Sequence, residues 1–283
     1  MGKLQPTLRF PEFQGDWSVK SIRDVTNLVT KGTTPKKFVT SGVNYVKIEC
    51  LKGHDIDSSK CLFIDQETHN KELKRSILKE NDLLFAIAGA TIGKCTIVKK
   101  EILPANTNQA LSIIRLKNSE NKDYIFQLLT SEKMEKYIID NISVGAQPNL
   151  NLEQINSFSF PYPALEEQTK IATFLSSVDE KINLLKEKKA LLEEYKKGMM
   201  QQIFSQKLRF KDEDGKDFAD WQEKKLSDIG EFKNGINKGK EDFGFGFPFI
   251  NLMDVFGKST ISNLHLDLVN ANQKELLNYD CFA

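Results

Sequence analysis

A narrow stripe of apolar residues runs through residues 163–206. Positions that step alternately by four and three residues, from Ile171 to Ile203, are apolar at eight of ten sites, with Lys189 and Lys196 as the exceptions. This spacing keeps one seam on a single side of a helix and is typical of a helix that packs against a partner helix. It predicts one helix of about 40 residues, roughly 60 Å long. A core helix of a compact domain is the alternative, which the Glu and Lys on the other faces disfavour.

The residues before this helix indicate mainly β-structure. Short apolar or β-branched runs are bounded by Gly, Asn, Lys and Pro, as strands commonly are. The runs are VNYVKIECL (43–51), DLLFAIAGA (82–90), KCTIVK (94–99) and ALSIIRL (110–116). One amphipathic segment, DYIFQLLTSEKMEKYIIDNI (123–142), predicts a single helix. The expected fold class is α+β: a mainly β domain with a few helices, followed by a long coiled-coil spacer helix.

Part of the chain is repeated after the long helix. LRF (8–10) returns at 208–210, and GVNYVKIECLKG (42–53) matches GFPFINLMDVFG (246–257) 204 residues later. Three residue pairs lie at the same spacing: Trp17 and Trp221, Ile22 and Leu226, and Val25 and Ile229. An ordered series of this kind indicates a duplicated unit. We expect a first domain at 1–162, a spacer helix at 163–207, and the incomplete start of a second domain at 208–283.

Composition excludes several classes of protein. The net charge is +1, and no stretch approaches the ~20 apolar residues of a membrane span. The first residues lack the apolar core of a signal peptide, so a cytoplasmic location is expected. The cysteines are scattered without a CxxC pair, which favours buried, reduced thiols over disulfides or zinc ligands. They are Cys50, Cys61, Cys95 and Cys281.

GATIGKCTIV (89–98) resembles the start of a phosphate-binding loop. However, Gly89 and Gly93 enclose one residue too few, and Cys95 stands where a Ser or Thr should bind magnesium. The following TIVKK reads as a strand, so no helix N-terminus would face a phosphate. The segment instead predicts a strand–turn–strand unit with Thr91 and Lys94 at an exposed tip.

The most informative motif lies at residues 145–182. It combines a glycine-led loop, an L-x-x-I step, P-x-P-x-x-E-Q, and I-A-x-F-L-x-x-x-D-x-x-I. With the Trp–Gly segment at 17–32 and NDLLFAIAGATIGKCTIV (81–98), it resembles the specificity subunit of Type I restriction–modification enzymes over nearly the whole chain. The motif residues are Gly145, Leu152, Ile155, Pro161, Pro163, Glu167, Gln168, Ile171, Ala172, Phe174, Leu175, Asp179 and Ile182.

The resemblance implies two DNA-recognition domains held apart by two antiparallel helices, and no catalysis by this chain. It also implies two methylation subunits, which hold S-adenosylmethionine, and restriction subunits, which hydrolyse ATP. The chain itself would bind no cofactor and no metal. The expected docking surface and seam, which could also support self-association, comprises Glu167, Gln168, Ile171, Leu175, Val178, Ile182, Leu185, Leu192, Met199 and Ile203.

Base-reading residues differ between members of that family, so the candidates here come from chemistry. Lys positions a protein on phosphates, and polar side chains read base edges. Polar or basic residues between the predicted strands are therefore the expected double-stranded DNA contacts: Lys31, Thr33, Thr34, Lys36, Lys37, Thr91, Lys94, Asn106, Asn108, Gln109, Gln147 and Asn149. A coiled-coil assembly protein without DNA specificity and a nucleotide hydrolase remain as alternatives.

Overall fold

The structure is a computed structural model that describes residues 5–142, 148–232, 234–257, 260–261 and 266–279. The chain divides into two compact units, Met1–Gln201 and Gln202–Ala283. The predicted α+β class is confirmed. Among the described residues, no helix combines the length and apolar character needed to cross a membrane.

The described residues of unit 1 form eleven short strands and the helices that cover them. The strands are β1 (Ser18–Ser21), β2 (Thr26–Lys31), β3 (Val43–Val46), β4 (Leu51–Lys52), β5 (Asp55–Ile56), β6 (Leu62–Ile64), β7 (Leu83–Ala86), β8 (Cys95–Ile97), β9 (Ala105–Thr107), β10 (Leu111–Leu116) and β11 (Ser159–Tyr162). The α-helices are α1 (Ile22–Val25), α2 (Lys122–Leu129), α3 (Glu132–Asn141), α4 (Leu152–Ser157) and the long α5 (Leu165–Phe204), whose last three residues are assigned to unit 2.

A four-stranded antiparallel sheet, in the order β2-β10-β7-β8, forms the centre of unit 1. Both faces of β7 are buried: Leu83 and Phe85 pack under α2, α3 and α4, while Leu84 and Ala86 pack into a second apolar cluster on the other side. A strand covered on both faces reads as a continuous apolar run, which explains the sequence LLFA. A second sheet, β6-β3-β9, pairs β3 with β9 in parallel.

The predicted single helix over 123–142 is wrong, because the structure breaks it into α2 and α3. At the break, Thr130 Oγ1 donates to the carbonyl of Phe126 at 3.0 Å, and Ser131 Oγ donates to the carbonyl of Leu128 at 2.7 Å. Hydroxyl side chains that bond to nearby carbonyls compete with helix continuation. The apolar spacing continues through the break, since Phe126, Leu129 and Met134 all enter the same core.

Helix α5 is one unbroken helix of 40 residues, as its spacing predicted. Its beginning packs on unit 1, where Ala172 is buried in the core and Ile171 lies against it. Asp179 then accepts hydrogen bonds from His54 at 3.2 Å and Gln127 at 2.9 Å. Farther along, the seam is exposed, and its most accessible members, at 41–56% exposure, are Val178, Ile182, Leu185 and Leu192.

The N-terminal arm, residues 5–17, is fixed to the first turn of α5 by one carboxylate. Glu167 is only 2% exposed. Arg9 Nε and Nη2 each lie 2.7 Å from a carboxylate oxygen of Glu167, and Trp17 Nε1 donates to the same group at 3.1 Å. Beside it, β1 pairs with β11 immediately before α5. The two ends of the β-domain therefore meet where the long helix begins.

Two predicted docking residues need correction for this reason. Glu167 is enclosed by Arg9 and Trp17, and Gln168 is fully buried, with its Nε2 donating to the carbonyl of Pro163 at 2.9 Å. Neither side chain is accessible to a partner subunit. Both instead anchor α5 to the β-domain, and the surface left for docking begins farther along the helix.

Unit 2 contains β12 (Phe243–Phe249), β13 (Asp267–Val269), α6 (Leu252–Val255) and α7 (Gln273–Tyr279). It repeats local features of unit 1 at the spacing of 204 residues. The backbone N–H of Ser21 donates to Asp24 at 2.8 Å, and that of Lys225 donates to Asp228 at 3.0 Å. The apolar positions differ in burial, because Leu226 is 66% exposed and its counterpart Ile22 is fully buried.

Replacing Trp17 with Phe tests the fixation of the arm. Hydrogen bonds to charged groups contribute about 1.5–3 kcal/mol, so we expect the free energy of unfolding to fall by about that amount. Urea denaturation followed by circular dichroism measures it. Trp221→Phe is the matched control, because the Trp221 side chain makes no hydrogen bond among the described residues and should cost less than about 0.5 kcal/mol. Equal losses in the two variants would contradict the role of the indole N–H.

Candidate nucleic-acid interface

Four loops lie at one edge of the four-stranded sheet because its strands alternate in direction. Lys31, at the end of β2, pairs with Ser112 near the start of β10. Ala86, at the end of β7, pairs with Leu111, and Phe85 pairs with Cys95 at the start of β8. Residues 31–37, 87–94 and 108–110 therefore leave the sheet on the same side. We call this edge, together with residues 148–149, the reading edge.

Main-chain hydrogen bonds join the loops at the reading edge. Thr33 N donates to the carbonyl of Thr107 at 3.0 Å, and Gly32 N donates to that of Leu111 at 3.2 Å. A Cβ atom at Gly32 would lie 2.1 Å from the carbonyl oxygens of Thr107 and Asn108, so only glycine permits this approach. The tyrosine hydroxyl of Tyr45 donates to the carbonyl of Thr33 at 2.9 Å, and burial raises the pKa of Tyr45 to about 12, so this donor stays protonated.

The glycine-rich turn belongs to the same edge. Residues 87–94 connect β7 to β8, which confirms the predicted strand–turn–strand unit, and Gly89 and Gly93 have φ angles of 83° and 93°. Gly89 N donates to the carbonyl of Pro148 at 3.2 Å, and Leu150 N donates to that of Ile87 at 2.8 Å. These bonds bring Asn149 next to the turn. Gln147 lies outside the described residues.

The predicted cations at the reading edge are mostly unpaired. Lys31, Lys36 and Lys94 are exposed and form no ion pair with any described residue. Lys37 has a carboxylate partner, Asp65, at 3.6 Å. The pKa of Asp65 is lowered, chiefly by the hydrogen bond from Thr68 N and further by Lys37, so this carboxylate is charged at neutral pH. The edge therefore carries positive charge that the described side chains largely leave unneutralised.

At the opposite edge of the sheet, three cations have carboxylate partners. Arg115 Nη2 lies 2.7 Å from Asp82, which is fully buried, and Lys122 lies 3.3 Å from Asp123. Lys99 is paired with Asp55. Because these three cations have carboxylate partners within the fold, each attracts an external polyanion less than an unpaired lysine does. Lys79 and Lys100 at this edge are exposed and form no ion pair with any described residue.

The other predicted polar contacts are placed as follows. Thr34, Gln109 and Asn149 are exposed at the reading edge, and Thr33, Thr91 and Asn108 are half-buried there. Sequence reasoning missed Arg75, whose guanidinium donates to Thr33 Oγ1 at 3.3 Å. Its signal in the sequence is the basic cluster KELKR at 71–75, which no predicted strand brought near the loops.

Asn106 does not fit its predicted role as a DNA contact. It is fully buried, its Oδ1 meets the imidazole of His69, and its Nδ2 donates to Leu73 O at 3.0 Å and to Ser76 Oγ at 3.3 Å. Because protein atoms occupy both ends of the amide, no base edge can reach it. Asn106 instead holds the 69–76 segment, which carries Arg75, against β9.

The cysteine prediction is confirmed for the described residues, where Cys50, Cys61 and Cys95 are buried and free. Cys281 lies outside the described residues. Within that part of the chain, no cluster of three or more His, Cys, Asp or Glu residues is arranged to hold a metal ion.

Comparison with known proteins shows which family this chain belongs to. Residues 14–194 match the family described as "Type I restriction modification DNA specificity domain". A Methanocaldococcus jannaschii protein, provisionally named as the specificity subunit of type I restriction enzyme MjaX, is 27% identical over 285 residues, covering 94% of this chain and 64% of that protein. The MjaIX specificity subunit of the same organism is 26% identical over 254 residues, covering 84% of this chain and 57% of that protein. The chain thus spans less than two thirds of the length of both relatives.

A solved structure also resembles this chain. It is described as showing complex assembly and conformational transition of the type I R-M system, and it covers 72% of this chain and 47% of its own chain, with a TM-score of 0.51 and 17% identity. At this identity, the likeness concerns the fold alone.

The buried role of Asn106 predicts a stability defect. Asn106→Ala leaves buried donors and acceptors without partners, so we expect the free energy of unfolding to fall by at least about 2 kcal/mol, measured by urea denaturation. Gln109→Ala, at an exposed position of the next loop, is the control and should change it by less than about 0.5 kcal/mol. An Asn106→Ala variant as stable as wild type would mean that the amide is not an internal tie.

Proposed function

Because this chain belongs to the family of Type I restriction–modification specificity subunits, we propose that its reading edge recognises one half-site of a bipartite double-stranded DNA target. In this proposal the chain catalyses no reaction itself. The observation that carries it is the set of unpaired lysines beside exposed polar side chains at a single edge of the sheet. Lys31, Lys36 and Lys94 would contact phosphates, and Gln109 and Asn149 would meet base edges.

The division of labour follows from the chemistry of each group. Lysine contacts with phosphates release counterions and supply affinity that is independent of sequence. The amides of Gln and Asn can donate and accept at the same time, which allows them to distinguish adenine in the major groove. Arg75, held by Thr33, adds a planar guanidinium whose parallel donors fit a phosphate or a guanine edge.

Replacing each unpaired lysine with Ala should weaken DNA binding and reduce its dependence on salt. One lost phosphate contact lowers the slope of log K against log salt by about 0.9. Binding is measured by fluorescence anisotropy with a half-site enriched from a random duplex library. Gln109→Ala and Asn149→Ala should instead change the enriched sequence.

Lys122→Ala, at the opposite edge, is the matched control and should leave both the affinity and the slope unchanged. If Lys122→Ala weakened binding as much as Lys31→Ala, the basic surface would be diffuse and the reading edge would not be the DNA site. Enrichment of no sequence at all would favour the alternative, an assembly protein that acts through its helix.

We further propose that α5 docks the other subunits of a restriction–modification complex. Two methylation subunits, which would hold S-adenosylmethionine, and restriction subunits, which would hydrolyse ATP, are the partners expected from the family. The support is the exposed apolar seam from Val178 to Leu192. A helix of a second copy of this chain could occupy the same seam. An isolated helix with such a stripe would leave apolar surface in water.

Charge placed in the seam should prevent this association. Leu185→Lys combined with Leu192→Lys should weaken it at least about tenfold, since each change puts an ammonium group into an apolar contact. Sedimentation of the chain alone and with a methylation subunit measures the effect. Glu187→Gln with Glu194→Gln changes the net charge by the same amount on the exposed polar face and should have no effect. Equal association of all variants would exclude the seam.

A further inference from the structure

The arginine of the N-terminal arm has a close counterpart in unit 2. Besides binding Glu167, Arg9 donates to the carbonyls of Gln14 at 3.4 Å and Gly15 at 2.6 Å. These residues stand three and two positions before Trp17. The main chain thus bends round the guanidinium of Arg9. The carbonyls of Gln14 and Gly15 hold this guanidinium in the orientation that binds a carboxylate with two parallel hydrogen bonds.

Arg209 makes the corresponding hydrogen bonds in unit 2. Its Nη2 donates to the carbonyls of Phe218 at 2.9 Å and Ala219 at 2.7 Å. These residues stand three and two positions before Trp221, although the segment between the arginine and the tryptophan is four residues longer than in unit 1. The agreement at both carbonyls shows that the arginine and the tryptophan are placed together in each unit.

The two copies differ in what the guanidinium holds. In unit 1 it binds the buried Glu167. The carboxylate partner of Arg209 within the described part of the chain is Asp220, at 3.1 Å, whose side chain is 98% exposed. Among the described residues, the Trp221 indole N–H has no acceptor, while that of Trp17 donates to Glu167. Unit 2 therefore has the arginine and tryptophan donors, but among its described residues no buried carboxylate corresponds to Glu167.

The aromatic residues that correspond in the two units also differ in their contacts and exposure. In unit 1, Phe10 packs edge-on against Phe174 with 6.0 Å between ring centroids, and Lys170 lies 5.5 Å above the Phe10 ring. In unit 2 the corresponding Phe210 is 66% exposed, and Trp221 is 48% exposed, with Phe204 edge-on to its ring at 6.2 Å. Glu167, Lys170 and Phe174 follow each other at the spacing of one helix face.

We propose that Arg209, Trp221 and Phe210 form a socket for the beginning of a second helix of the α5 type. The occupant carries a glutamate for Arg209 and Trp221, a lysine three residues later for the Phe210 ring, and an aromatic residue seven positions after the glutamate. Glu167 of the same chain is not this occupant, because Arg9 already holds it. The socket contains none of the residues of the reading edge, so this proposal does not depend on whether the chain recognises DNA.

The arrangement favours tight binding for its size. The carbonyls of Phe218 and Ala219 orient the guanidinium before a partner arrives, so little side-chain freedom is lost on binding. An incoming carboxylate gains two hydrogen bonds from Arg209 and one from Trp221, while an exposed pair with Asp220 contributes little and is easily exchanged. The exposed rings of Phe210 and Trp221 offer additional apolar contact.

A peptide with the sequence of residues 161–182 tests the socket against the full chain. It is stapled between positions 173 and 177, which are exposed in α5, so that it is helical before binding, and it carries a fluorescent label. We expect saturable binding by anisotropy. Arg209→Ala in the chain, or Glu167→Gln in the peptide, should weaken binding about tenfold or more, the loss expected for hydrogen bonds to a charged group.

Two further variants distinguish the hydrogen-bond geometry of the Arg209 guanidinium from the effect of its positive charge alone. Arg209→Lys keeps the charge but loses the parallel donors, so binding should remain well below that of wild type. Lys211→Ala removes a nearby charge that pairs with Asp217 and should leave binding unchanged. Absence of binding, equal binding of the peptide that carries Glu167→Gln, or binding that survives Arg209→Ala would each overturn the proposal. The last result would place the peptide on the seam of α5.

Discussion

The alternation of strand direction in the four-stranded sheet determines where this protein can present a surface. Since β2 and β7 run opposite to β10 and β8, every second connection must emerge at the same edge. Both faces of β7 are buried, so the faces of this sheet offer little room for a ligand there. A ligand of this sheet is thus expected at the loops of an edge, where side chains are solvated and the backbone is held by the strands.

Ion pairing distinguishes some of the cations at the opposite edge from the lysines of the reading edge. Arg115 is matched to the buried carboxylate of Asp82, and this ion pair satisfies groups that the fold has removed from water. Lys31, Lys36 and Lys94 have no such internal role, and their ammonium groups remain in solvent. The net charge of the whole chain, +1, does not reveal these unpaired lysines, because acidic residues elsewhere balance the total. The proposed DNA contact therefore rests on the local arrangement of these lysines and not on the net charge.

Periodic features were predictable from the sequence, and features that depend on distant partners were not. The four-three spacing of α5 and the turn at Gly89 and Gly93 are local, so the predicted elements agree with the structure. Asn106 looked like any polar loop residue, since the acceptor Leu73 is brought to it only by folding. The Glu167–Arg9 pair joins residues 158 positions apart, and spacing within α5 could not reveal it. The break after Leu129 depends on hydroxyl rotamers that an apolar pattern does not register.

The loops of the reading edge are fastened to one another through main-chain atoms, as in the bond from Thr33 N to Thr107 O. Every amino acid except proline can supply such an N–H, so these main-chain hydrogen bonds do not depend on which side chain projects beside them. Exposed neighbours such as Lys36, Gln109 and Asn149 are therefore free to be exchanged during evolution at little thermodynamic penalty. Gly32 is the exception, since its missing Cβ is what lets the loops meet. A scaffold of this kind can acquire new preferences by surface drift while its architecture is inherited unchanged.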